Sequence, residues 1–187
     1  MYRLQKYTKE MCQIWDDFID ASVNGTIFHK QKFLDYHPKT FLEDASHYMV
    51  YQGQELVGVL PLFILVKGDN KVAKSPHGAS YGGLVYSRKF SYQKANEIVC
   101  LIRDSLLTAG VTSLLFTPSL KYEQEDRIFD FCLLRLGASE INIDAVSVIP
   151  LESLSVDNLF SSSAKRHLKK SNRYNIQTEL NSTSIDH

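Results

Sequence analysis

Halfway along this chain the apolar residues change period, and that change limits the folds open to it. From Tyr48 to Tyr86 they come in short extended runs: Tyr48–Tyr51, Glu55–Val66, a third run ending at Ser75, and Leu84–Tyr86. Gln52-Gly53-Gln54 and Lys67-Gly68-Asp69-Asn70 separate the first three, a composition that makes tight connections between antiparallel strands. From Ala95 onward the spacing is helical. Ala95, Ile98, Val99, Ile102 and Leu106 share one helix face, closed by Gly110. Ser113–Thr117 then reads as a buried-type strand, and Gln124–Leu136 as a helix ended by Gly137. Ile141–Leu151 reads as extended, Asp157–Asn175 as helix, and Ile176–Leu180 as a closing strand. A meander followed by alternating helices and strands predicts an α/β fold, a sheet with antiparallel and parallel parts flanked by helices.

Upstream of the meander, Thr8 is expected to cap a helix whose face runs through Met11, Trp15, Phe18 and Ser22, with Ile14 and Ile19 beside it and Asn24-Gly25 as its stop. A short second helix is expected from His29 to His37, ending before Pro38. No repeat or linker interrupts residues 1–187, so one domain is expected.

Lysine plus arginine and aspartate plus glutamate number 21 each, so bulk charge argues for neither DNA nor a membrane surface. The longest apolar run, Leu56–Val66, contains Gly58 and Pro61 and falls short of the roughly 18 residues of a membrane span. The first residues, Met1-Tyr2-Arg3-Leu4-Gln5-Lys6, lack the apolar core of a signal peptide. Cys12, Cys100 and Cys132 are odd in number and far apart, which indicates neither a disulfide framework nor a zinc site. These features together predict a cytoplasmic location.

Three segments are candidates for chemistry. Ser75-Pro76-His77-Gly78-Ala79-Ser80-Tyr81-Gly82-Gly83-Leu84 lies between two strand-like runs. Its glycines allow backbone to approach a ligand, so the loop can present bare N–H groups and the Tyr81 ring; equally, the glycines can serve turns and a bulge. Lys165, Arg166, Lys169, Lys170 and Arg173 place five cations within nine residues and no acid among them. Taking those five from 21 leaves 16 against 21 acids, a net −5 for the rest of the chain. At about 100° per residue they share one helix face, and Ser161–Ser163 can cap its start. That face is either solvated or a phosphate clamp for a nucleotide sugar, a cofactor or RNA. Asn24-Gly25-Thr26-Ile27-Phe28-His29 reads as a loop lining a groove, or as local packing. His29, His37, His47 and His77 lack the spacing of helical metal ligands, so no metal is expected. Asp16-Asp17 reads as solvated surface or a partner for lysines.

The order of several motifs resembles the Fem-like proteins, the peptidoglycan-bridge aminoacyltransferases and their relatives, built from lobes of the GNAT acyltransferase fold. The motifs are Trp15-x-x-Phe18, Ser22-x-Asn24-Gly25-Thr26-Ile27-Phe28-His29-x-x-x-Phe33-Leu34-x-Tyr36-His37, Gly58-Val59-Leu60-Pro61, Tyr81-Gly82-Gly83 and the late basic helix. The resemblance implies a single GNAT-like lobe and an N-acyltransferase that moves an acyl or aminoacyl group to an amine of an amino sugar or cell-envelope precursor. It places Phe33, Tyr36 and His37 toward the acceptor, with Gly82 and Gly83 in the substrate loop. Tyr81 takes a proton-relay or hydrogen-bonding role, and Lys165, Arg166, Lys169 and Lys170 meet substrate phosphates. Acyl-CoA and aminoacyl-tRNA are the donors it suggests, with tRNA a partner in the second case alone. Two features depart from the pattern. Arg88-Lys89-Phe90-Ser91-Tyr92-Gln93 has no glycine to cradle a pyrophosphate, and Leu84-Val85-Tyr86-Ser87 has no aspartate after the Gly-Gly pair. These departures keep a second function open: a non-catalytic GNAT-shaped module that binds an anionic glycan, a nucleotide sugar or a partner lobe. In the resembled family the groove forms where two lobes meet. The chain is therefore expected to associate with a second copy or a second lobe through residues 157–180, where Phe160, Leu168, Tyr174 and Ile176 would leave an apolar patch.

Overall fold

The computed structural model describes residues 1–118, 127–140, 142 and 160–174, with the side chains of Thr40 and Phe41 left aside. The expectations for Ile141–Leu151 (apart from Asn142, which stands alone), Ile176–Leu180 and the first residues of the Gln124–Leu136 helix lie outside the described residues. The chain divides into two compact units, Met1–Ser139 and Glu140–His187.

The first unit holds two sheets. In one, β1 (Tyr2–Lys6), β2 (Tyr48–Gln52), β3 (Glu55–Leu60) and β6 (Val85–Tyr86) pair antiparallel in the order β1-β2-β3-β6. In the other, β4 (Phe63–Lys67) pairs antiparallel with β5 (Asn70–Ser75), which pairs parallel with β7 (Val111–Phe116). The expected strand Glu55–Val66 is thus two strands. Pro61 has no N–H to give a ladder, and the chain breaks there and passes from one sheet to the other. The β2–β3 register skips Val57 between the pairs Val50↔Gly58 and Tyr51↔Leu56, a bulge that sends Leu56 and Val59 to one face and Val57 and Leu60 to the other.

Each face of the first sheet carries helix. On one, Trp15 and Ile19 of α1 (Cys12–Ala21) pack on Met49, Val59 and Val85. On the other, Ala95, Ile98, Val99, Ile102 and Leu106 of α4 (Tyr92–Thr108) join Val50, Val57, Leu60 and Leu62, with Phe129 and Cys132 of α5 (Ile128–Arg135) in the same cluster. The four larger side chains of the α4 face each contribute about 1.5–3 kcal/mol on burial, which is why this helix keeps its 17 residues. This is the expected mixed α/β architecture.

Several local expectations are corrected. Thr8 precedes a 3-10 turn, Lys9–Met11, and makes no side-chain cap to it; α1 begins at Cys12. Ile14 is 54% exposed, because it lies off the Trp15–Ile19 stripe. The second helix is a 3-10 turn, Ile27–His29, followed by α2 (Gln31–Leu34), and Pro38 opens a further short helix, α3 (Lys39–Leu42). Beyond Val111, β7 is half-buried or exposed rather than buried. Asp16 is not solvated surface. Its Oδ1 accepts the backbone N–H of Gln31 at 2.7 Å and so satisfies the first turn of α2 from inside the core. Asp17 is exposed and accepts from Gln13 Nε2.

The second unit is described through α6 (Ser162–Asn172), an uninterrupted helix within the expected span. Ser161 caps it, its Oγ accepting from Ala164 N at 3.2 Å. Lys169 and Lys170 occupy the last turn, where cations favour the helix dipole.

His47 yields a pH test of the first unit. It lies buried among Tyr7, Trp15 and Phe63, and its Nδ1 accepts the N–H of Leu62 at 3.0 Å. Burial pushes its pKa down to about 4 from the ordinary 6.5. The unfolded chain therefore binds the extra proton between those values, so the stability His47 protects is full above pH 6.5 and drains as pH falls toward 4. Urea midpoints should fall steadily across that window, by an amount worth about 3 kcal/mol for this group. His47→Gln should show a visibly shallower slope; an unchanged slope contradicts the assignment.

Candidate active site

The glycine loop is an excursion from a continuous ladder. Thr117 N–H donates to the C=O of Ser75, and Thr117 C=O accepts from Gly82 N–H, both at 2.8 Å. Gly82 then pairs in parallel with Pro118. On the neighbouring strand the ladder therefore passes from Ser75 directly to Gly82, and residues 76–81 are extruded between them. A Cβ on Gly82 would lie 2.4 Å from Pro76 N and 2.5 Å from the Ser75 carbonyl carbon, so glycine alone closes the neck. Ser75 fastens it. Its buried hydroxyl donates to the C=O of Pro61 and accepts the N–H of Gly83 at 2.7 Å.

The expected bare amides are therefore absent at Gly82 and Gly83, since both N–H groups are spent inside the protein. Carbonyl and imidazole complete the neck. Buried His29 takes the N–H of Thr26 on Nδ1 at 3.1 Å, which leaves Nε2–H to donate to the C=O of Gly82 at 3.2 Å. Burial holds its pKa below the usual histidine value and keeps the ring neutral. His29 is a fastener of the loop, whereas Gly25, Thr26 and Ile27 of the same segment line an open groove with Ile19, Asp20, Ser22 and Lys30, so the segment serves both packing and a groove. Asn24 does similar work: its side chain donates to Leu84 C=O and accepts from Tyr86 N–H.

What the excursion presents is side chains. Tyr81 packs edge-on against Phe28, with ring centroids 5.7 Å apart. Phe28 meets Phe33 at 5.1 Å, Phe33 meets His37 at 5.9 Å, and His37 meets Tyr36 at 6.1 Å. At the other end of the loop Gly78, at φ +78°, lies on the His37 ring, where a Cβ would stand 2.7 Å from Cε1. Next to it, His77 packs on Phe63 at 5.5 Å. Four predicted site residues, Phe33, Tyr36, His37 and Tyr81, thus form one aromatic surface, with Tyr36 84% exposed at its edge. Phe28, Ser75, His29 and His77 were assigned no site role from sequence. A hydroxyl residue at a strand end before proline is the signal that points to Ser75.

Lys165, Arg166, Lys169 and Lys170 lie in the second unit, all exposed on α6, as is Leu168. Phe160 and Tyr174, flanking that helix, are exposed too, and Ile176 lies outside the described residues. Among the described residues no group of three His, Cys, Asp or Glu side chains is arranged to hold a metal, and no helix is long and apolar enough to cross a membrane. The three cysteines are free. Residues 88–91 lead into α4 at Tyr92. Arg88 is engaged by Glu55 and Gln52, Phe90 is buried, and no glycine opens the backbone.

No protein-family model matches this sequence, and no curated protein does. Among solved structures, a ribosomal-protein-alanine N-acetyltransferase from Brucella melitensis biovar Abortus 2308 aligns over 80% of this chain and 100% of its own, at 10% identity and a TM-score of 0.50. An aminoglycoside acetyltransferase from an uncultured soil metagenomic sample aligns over 80% and 99%, at 11% identity and a TM-score of 0.49. A GNAT family acetyltransferase from Staphylococcus aureus aligns over 79% and 98%, at 8% identity and a TM-score of 0.45. The first of these establishes the fold: a mixed α/β architecture of the GNAT acetyltransferase type.

The neck of the excursion is directly testable. Ser75→Ala leaves the C=O of Pro61 and the N–H of Gly83 buried without their partner, at about 1–3 kcal/mol for each group. Chemical denaturation should show a loss of about 2 kcal/mol or more; a midpoint within error of wild type would show that the hydroxyl does not fasten the loop.

Proposed function

We propose that this chain is one lobe of an N-acyltransferase that transfers an acyl group to the amine of an amino sugar or cell-envelope precursor, in the manner of the Fem-like proteins. The convergence of Phe33, Tyr36 and His37 with Tyr81 on an extruded loop, within an acetyltransferase fold, carries this reading. A face of aromatic rings suits an acceptor of this kind. It covers the apolar side of a sugar ring, and ring faces attract an ammonium group. The amine attacks the carbonyl carbon of an activated acyl group, so the protein's task is to position the two reactants and stabilise the oxygen charge that develops. Tyr81 supplies a hydroxyl for that charge. Gly82 and Gly83 act by setting where Tyr81 stands, since their amides are already engaged. The cations of α6 serve the phosphates of the substrate, and a second copy of the chain completes the groove.

The donor is an activated ester or thioester other than one anchored by a pyrophosphate loop before α4. The spent amides of Gly82 and Gly83 favour a second reading, a binding module without turnover. One assay separates them. The full chain, at micromolar concentration, is incubated with aminoacyl-tRNA, acetyl-CoA or 4-nitrophenyl acetate and an amino sugar, and amide product is measured by mass spectrometry. Transfer is expected, and Tyr81→Phe should lower kcat by about 100-fold without changing stability. No product with any donor contradicts transfer and leaves the binding module.

The α6 assignment has its own test. Substituting Arg166, Lys169 and Lys170 together by Ala should weaken inorganic pyrophosphate binding and flatten its salt dependence. Unchanged affinity reduces the helix to a solvated face.

A further inference from the structure

The first unit carries four histidines, and burial sorts them. His29 and His47 are enclosed and their Nδ1 atoms take backbone N–H groups, whereas His37 and His77 are half-buried, His37 on the aromatic surface beside Tyr36 and His77 next to Gly78, which lies on the His37 ring. We infer that His77 is the proton acceptor for the incoming amine, with His37 beside it, a role that rests on the acyl-transfer reading above. His77 is the second residue of the extruded loop that Tyr81 closes, and both belong to the six residues whose neck Ser75, His29 and Gly82 hold shut. The Phe63 ring supports the imidazole from within the core, and the next residue lies on the His37 ring. A base fixed at both ends of a short loop is aimed without needing a helix or strand of its own.

The titratable groups around His77 come from three elements: Lys74 of β5, Asp44 between α3 and β2, and His37 after α2. Burial first, then Lys74 and the neighbouring His37, hold the His77 pKa below the ordinary value, and Asp44 opposes them. The ring is therefore neutral at pH 7, the form a base requires. An acceptor arrives as R–NH3+. One proton passes to His77, and the freed lone pair forms the N–C bond to the acyl carbonyl. The C–O or C–S bond of the activated ester or thioester then breaks. The leaving oxygen or sulfur carries off the second amine proton, and the imidazolium returns its own to water.

The test follows N-acetylglucosamine formation from 4-nitrophenyl acetate and glucosamine, above the uncatalysed rate, over about pH 5 to pH 8. The full chain is used at micromolar concentration. Wild type should show a rate that rises through one ionisation below pH 6.5. His77→Gln should lose that limb and about 100-fold in kcat, with KM for glucosamine changed less than about twofold. Lys74→Gln removes a repelling cation and should move the limb to higher pH; Asp44→Asn removes an attracting anion and should move it lower. These two variants carry the test should His77→Gln fail to fold. A limb that persists in His77→Gln, or that neither charge variant moves, overturns the role of His77 while leaving transfer intact. Absence of amide product in wild type overturns the transfer reading, and this role with it.

Discussion

A single buried hydroxyl joins the parts of this structure that bear on function. Ser75 stands where β5 ends, and its Oγ bridges the C=O of Pro61 and the N–H of Gly83. Pro61 is the break at which β3 gives way to β4, so the same side chain ties the point where the two sheets part to the point where the extruded loop returns. Water cannot reach either backbone group, so the bridge is worth more than an exposed hydrogen bond of the same length. With the Thr117 ladder and His29, it holds the neck from which Tyr81 and His77 project.

Burial then decides what each polar residue can do. His47 and His29 are neutral because the core penalises their charge; His29 spends both ring nitrogens on backbone groups, and His47 gives its Nδ1 to the Leu62 N–H. Asp16 reaches the N–H of Gln31 from the helix beside it. These groups build the frame. His77, Tyr36 and Tyr81 keep access to solvent, and the chemistry proposed above falls to them. Charge is divided in the same way. The first unit contributes the aromatic rings of the surface, whereas α6 concentrates cations on one helix.

Much of the frame was legible in the sequence, for physical reasons. The α4 stripe is strong because five apolar residues repeat at helical spacing, and the Gln52–Gln54 and Lys67–Asn70 turns carry residues that few other structures favour. Thr8 misled because its side chain bonds elsewhere, assisting Glu10, and the helix starts three residues after the turn it opens. Pro61 inside an apolar run was a visible strand break, and its effect was to change sheets as well as to interrupt pairing. Asp16 read as surface because nothing local shows that Gln31 will stand beside it. The aromatic residues of the site were reached through motif order. Spacing could not have shown that Tyr81 and Phe28, 53 residues apart, would meet edge to edge. The role of Ser75 was hidden for the same reason: its partners come from two other segments. The glycines suggested bare amides, and the ladder to Thr117 consumed them.

The central claim is that the extruded loop and the aromatic turn after α2 form one acceptor surface. Titrating isotopically labelled chain with glucosamine, and following its backbone amide and histidine ring resonances, tests this most directly. The account predicts that the largest shift changes fall on Tyr36, His37, His77 and Tyr81, with little change at buried His47. Shift changes confined to other parts of the chain, or none at millimolar sugar, would contradict it.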